Sequence, residues 1–133
     1  MAVQKSRQAT GKQWFVEFHD DFIPEYRNLS ESVQDVLVAL MQILGEKGPL
    51  LGRPQVYTLK GSCHANMKEL RFDADGGVWR VAFAFDPQRK AILLVAGDKG
   101  GVVQRRFYRD LIAVADRRFD QHLKTFRLQK RKQ

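Results

Sequence analysis

A single cysteine, Cys63, stands in this chain of 133 residues, so no internal disulfide can form and a reducing compartment is favoured. No stretch approaches the roughly 18 apolar residues of a membrane-spanning helix. The opening MAVQKSRQATGKQ is polar and basic and lacks the apolar core of a secretory leader. These absences predict a soluble, cytoplasmic protein with no membrane partner. The familiar catalytic signatures are missing too: there is no Gly-rich phosphate loop, no HExxH and no GxSxG. His19, His64 and His122 are scattered and meet only one cysteine, so neither a metal site nor a cofactor is expected. Cys63 and His64 are neighbours in a polar loop, but a thiolate site needs a base that meets it in space. Asp73, Asp75, Asp86 and Asp98 fall at turns and strand ends, where aspartate is common anyway.

What the chain does have is positive charge in one place. Residues 1–98 carry twelve basic and twelve acidic side chains, whereas residues 99–133 carry eleven basic and three acidic. The whole net charge of +8 therefore belongs to the last segment. Charge gathered in this way is a footprint for polyanions, above all nucleic acid. At 44% hydrophobic residues, the chain is large enough to bury one core without staples.

Met67–Asp98 organises the rest. Met67–Phe72 and Val78–Phe85 alternate, and Ala91–Ala96 is continuously apolar, as in a strand covered on both faces. DADGG (73–77) and DPQRK (86–90) are turn sequences, giving three antiparallel strands. A hairpin that opposes Phe72 to Trp79 also opposes Leu70 to Val81 and Arg71 to Arg80. One face is then core, while the other carries Glu69, Arg71 and Arg80 above Ala82 and Ala84, a shallow seat for an anion.

Residues 1–12 lack periodicity and read as a disordered basic tail. Gln13–Phe18 is a strand candidate with Trp14, Val16 and Phe18 on one face, and Pro24 suits the start of a helical turn. Ser30 is placed to cap a helix whose stripe is Val33, Val36, Leu37, Leu40, Met41 and Leu44, ended by Gly48-Pro49. Leu50–Ala65 is a connection with a short edge strand around Val56–Leu59. A second helix from Gln104 to about Phe126 buries Phe107, Leu111, Ala115, Phe119, Leu123 and Phe126, before a basic tail over 127–133. The order β-α-β-β-β-α predicts a small α+β domain over 13–126, with a mostly antiparallel sheet of about four strands and two main helices.

The candidates for chemistry are cations and one phenol near the sheet: Lys60, Lys68, Arg71, Arg80, Lys99 and Tyr108. Arg80 stands mid-strand in WRVAFAF, where Thr or Gln would be more usual. It could simply pair with Glu69 across the hairpin, yet an arginine fork engages a carboxylate and a phosphate together. Lys99 follows the last strand in GDKGG, where glycines allow close backbone approach.

LKG (59–61), MKELR (67–71), WRVAFAFDP (79–87), ILLVAGDKG (92–100) and RFYRDLIAVADRRFDQHL (106–123) together resemble the phage Gp49-like, HigB-type toxins of the RelE/ParE superfamily. The likeness covers roughly residues 13–125 and lies in the order and spacing of the set. It implies the toxin of a type II toxin–antitoxin system, a metal-independent endoribonuclease that cuts mRNA on the ribosome. It implies a helix-turn-helix antitoxin as partner. On this resemblance Arg80 falls where the superfamily's strand arginine meets the scissile phosphate, and Lys68, Arg71, Lys99 and Tyr108 join it as catalytic candidates. Lys60, Arg105, Arg106 and Arg109 are the RNA-binding candidates. Glu69 stands close to where RelE proteins have a second lysine, so their general base does not transfer. The chemistry implied is attack of the 2′-hydroxyl on the adjacent phosphate. Two other functions share the fold or the charge: gyrase inhibition in the ParE manner, and nucleic-acid binding without catalysis.

Overall fold

The computed structural model describes residues 13–131; the basic tail expected over 1–12 lies outside the described residues, as do 132 and 133. The elements are β1 (Phe15–Phe18), α1 (Phe22–Arg27), α2 (Glu31–Lys47), β2 (Val56–Thr58), β3 (Lys68–Ala74), β4 (Gly77–Phe85), β5 (Lys90–Asp98) and α3 (Gln104–Arg131). The sheet order is β1-β5-β4-β3-β2, with β1 parallel to β5 and the other neighbours antiparallel. The expected α+β class is therefore what forms, with a fifth strand added. β2 is three residues long, too short for alternation to announce it as more than an edge.

Local chemistry accounts for the boundaries. Ser30 Oγ accepts the Val33 N–H, and Gly48 ends α2 at φ +55°, donating its N–H to Leu44 O. The β3–β4 turn places Asp75 and Gly76 at φ +53° and +76°, both positive, as a two-residue primed turn requires. The hairpin register is the expected one, pairing Phe72 with Trp79, Leu70 with Val81 and Arg71 with Arg80.

One face of the sheet packs Leu70, Val81, Phe83 and Leu93 against Phe22, Leu37 and Leu44 of α1 and α2. The other face packs Ala82, Ala84, Ile92 and Leu94 against Phe107, Leu111, Ala115 and Phe119 of α3. This corrects the expected open seat: both alanines are fully buried. Small residues are there because a helix lies close on them, not because a ligand does. Gly97 serves the same approach, since a Cβ there would stand 2.8 Å from the Phe107 ring. Arg118 fastens the helix by a bidentate pair to Glu25 of α1 (2.9 and 2.6 Å) and a bond to Leu94 O (2.8 Å). α3 does not stop near Phe126 but continues to Arg131.

A buried arginine cluster at the head of a basic groove

Cross-strand pairing sets Arg71 directly opposite Arg80, an arrangement that would repel if nothing lay between. Glu69, two residues before Arg71 and on the same face, is what lies between. Arg71 Nη2 is 2.8 Å and Nε 3.0 Å from Glu69 Oε2, and Arg80 Nε is 3.9 Å from Oε1. α3 closes the cluster from above: Tyr108 Oη accepts from Arg80 Nε at 3.2 Å and donates to Glu69 Oε2 at 3.3 Å. A second bond, Arg80 Nη1 to Trp79 O at 2.9 Å, fixes the guanidinium from the strand side. Two cations and one carboxylate leave a net positive charge, with Glu69 and Arg80 buried and Arg71 partly exposed.

The members differ in access. The side chain of Glu69 is 2% exposed and that of Arg80 10%, but that of Arg71 is 34% exposed. Arg71 is therefore the guanidinium a ligand meets first, with Arg80 behind it. The Arg71 guanidinium lies over the Tyr57 ring at 3.5 Å, and Arg53 adds a second cation at 4.6 Å from that ring. Burial raises the Tyr108 pKa, and the Arg80 hydrogen bond offsets only part of that, so the phenol keeps its proton at neutral pH.

Tyr108 also lines a groove of about 540 Å³ with Lys60, Gly61, Arg105, Arg109 and Ile112. Lys60, Arg105 and Arg109 are exposed, so the groove has basic walls, and it shares Tyr108 with the arginine cluster. Sequence candidates from the β2–β3 loop, the central hairpin and the first turns of α3 thus meet in one place. Lys99 donates its backbone N–H to Val78 O at 2.8 Å, which puts it two residues beyond Gly97, Arg80's partner, on the same face. Arg106 is exposed on α3 outside the groove lining.

Lys68 is a correction. It pairs with Phe83, so it belongs to the α2 face of the sheet with Leu70, away from Arg80 and Tyr108. The side-chain period of two forbids it from joining Glu69 and Arg71. The sequence placed Glu69 on the face of Arg71 and Arg80 and offered it as a partner for Arg80, but gave no role to Tyr57. A carboxylate between two arginines in an alternating hairpin was the signal for the first. Tyr57 lies on the edge strand expected around Val56–Leu59, but its place under the Arg71 guanidinium follows only from the β2–β3 register.

Residues 24–120 match the family described as phage-derived protein Gp49-like. Two curated proteins of Mycobacterium tuberculosis are similar to this chain. One, HigB2, described as a candidate toxin, is 43% identical over 99 residues, covering 74% of this chain and 49% of its own length. The other, HigB3, described in the same way, is 41% identical over 95 residues, covering 71% and 81%. The chain thus spans about half the length of HigB2. Among solved structures, E. coli toxin RelE, a double arginine-to-alanine mutant in the free state, aligns with a TM-score of 0.56 at 13% identity, covering 77% of this chain and 96% of that one. A chain of the archaeal RelE–RelB complex from Pyrococcus horikoshii gives 0.50 at 17% identity, covering 68% and 100%. At such identities these two structures speak for the fold alone.

Proposed function

The chain belongs to the phage-derived Gp49-like family, on the HigB branch of the RelE/ParE superfamily, and from that premise we propose that it is the toxin of a type II toxin–antitoxin pair and cuts mRNA on the ribosome. The observation that carries the proposal is the pair Arg71 and Arg80, bonded through Glu69 and through Tyr108, which also lines a basic groove. RNA lying in the groove would bring a phosphate to the exposed edge of Arg71. The 2′-hydroxyl would attack that phosphate, releasing its proton to solvent as the bond to the 5′-oxygen breaks, and so give a 2′,3′-cyclic phosphate and a 5′-hydroxyl. Arg71 and Arg80 would neutralise the charge gathering on the phosphate oxygens, where one well-placed donor is worth ~3 kcal/mol. Tyr108, which keeps its proton, is suited to protonate the departing 5′-oxygen, a role worth about 10²–10⁴-fold. No metal is assigned a part in these steps.

Residues 13–126 would carry this activity, with basic ends that add affinity for RNA. A helix-turn-helix antitoxin encoded beside the toxin would hold it inactive. Primer extension on cellular mRNA after induction tests the reading. Cuts within codons should appear and vanish when translation initiation is blocked. Intact mRNA with trapped gyrase–DNA complexes would instead assign the fold to gyrase inhibition.

The groove walls supply a second test. Arg105 and Arg109 are exposed on α3, and each phosphate they neutralise releases condensed counterions. Replacing both with serine should weaken ribosome co-sedimentation and lower the slope of log affinity against log salt by about 2. The circular dichroism spectrum should be unchanged, because neither side chain is in the core. An unaltered slope would take the groove out of RNA binding.

A further inference from the structure

Cys63 and His64 lie in the loop between β2 and β3, where the local sequence offers no further ligand. The fold brings one from α3. Asp116 and Asp120, four residues apart on that helix, meet the loop together. Ser62 Oγ and the Cys63 backbone N–H both donate to the Asp116 carboxylate, and His64 Nε2 is 2.7 Å from Asp120 Oδ1. The His64 ring also stands edge-on to Phe119, with centroids 5.0 Å apart. The loop is clamped to the helix at each of these points. Within the clamp, one ligand atom from each of Cys63, His64 and Asp120 lies within 4.8 Å of the other two.

Thiolate, imidazole and carboxylate each bind zinc at about 2.0–2.3 Å, which sets tetrahedral ligands roughly 3.3–3.8 Å apart. Side-chain shifts would bring the three atoms to that spacing, with the exposed Cys63 exchanging its hydrogen bond to Asp116 for the cation. We propose that Cys63, His64 and Asp120 form a binding site for a thiophilic divalent cation of the zinc type, with water or Asp116 completing the shell. The mixed sulfur, nitrogen and oxygen set disfavours magnesium and calcium, which take oxygen ligands. No residue of the arginine cluster contributes to the site, so its role is structural. It fastens the loop that carries Lys60 and Gly61 to the helix that carries Ile112, and these form facing walls of the basic groove.

Cobalt(II) is the probe, because its thiolate complexes show a near-ultraviolet charge-transfer band and its tetrahedral complexes show visible bands. The full-length chain, purified without a histidine tag, should develop both at one equivalent of cobalt and lose them on addition of zinc. Cys63→Ser should abolish the charge-transfer band. His64→Gln and Asp120→Asn should each weaken cobalt binding by about tenfold or more. Zinc should raise the Tm of the native chain and leave that of Cys63→Ser unmoved. Circular dichroism of the exposed-site variant Cys63→Ser should match the native spectrum. Absence of the band at saturating cobalt, or a band or Tm shift that survives Cys63→Ser, overturns the site. None of these readouts uses toxicity or RNA cleavage, so the site stands or falls independently of the function proposed above.

Discussion

Arg80→Ala is expected to abolish growth arrest on induction and to lower mRNA cleavage by about 10²–10³-fold, the usual cost of one preorganised donor. The protein should stay folded. Among the described residues Arg80 bonds Tyr108 and Trp79 O, besides the distant Glu69 oxygen, and each survives its loss. Tyr108 and Arg71 still bond Glu69 Oε2, Trp79 O lies on the adjacent backbone, and Glu69 Oε1 has no hydrogen bond to Arg80 to lose. The apolar contacts that seat α3 come from Phe107, Leu111, Ala115 and Phe119, none of which involves Arg80. Arg80→Lys should rescue only part of the activity, because an ammonium lacks the planar fork that meets Tyr108 and a phosphate together. Expression at matched levels, with near-native circular dichroism and Tm, separates lost chemistry from lost structure. A folded Arg80→Ala protein that still arrests growth removes Arg80 from the mechanism.

Much of this arrangement was legible in the chain, for reasons that can be named. Hairpin register follows from one turn and a period of two, so opposing Phe72 to Trp79 fixed Arg71 against Arg80. The α3 stripe followed from a period near 3.6, and Phe107, Leu111, Ala115 and Phe119 are buried. What periodicity could not say was where that stripe would land. The alanines of β4 read as an empty floor until α3 was placed upon them. The parallel pairing of β1 with β5 joins residues distant in the chain, which local pattern does not encode. Lys68 is a different kind of error. Alternation in MKELR puts it on the face away from Glu69 and Arg71, whereas its candidacy rested on its charge near the sheet and on the resemblance. Asp116 and Asp120 met the Cys63–His64 loop only through the fold, so the loop looked isolated in the sequence.

Glu69→Gln should separate two properties of the site by moving them in opposite directions. The glutamine keeps the shape of the side chain but gives up the charge that holds Arg71 at 2.8 Å and accepts the Tyr108 hydroxyl. Glu69 is buried, and Arg80 beside it is nearly so, so a buried charged group loses its counterion. The cost of such a loss is about 1–3 kcal/mol. It falls short of the ~3–5 kcal/mol of a wholly buried pair, because Arg71 is partly exposed and can turn to water. Thermal unfolding should therefore shift down by several degrees. The site's net charge rises by one, so RNA should bind more tightly, with a lower KM on ribosome-bound message. Cleavage should nonetheless slow, because a neutral amide oxygen holds Arg71 and Tyr108 more weakly than the carboxylate that orients both toward one phosphate. A fall in kcat with a fall in KM is the signature of a carboxylate that positions its neighbours at the expense of binding. Were KM to rise with kcat unchanged, Glu69 would be a binding residue, and its place between two arginines would concern affinity alone.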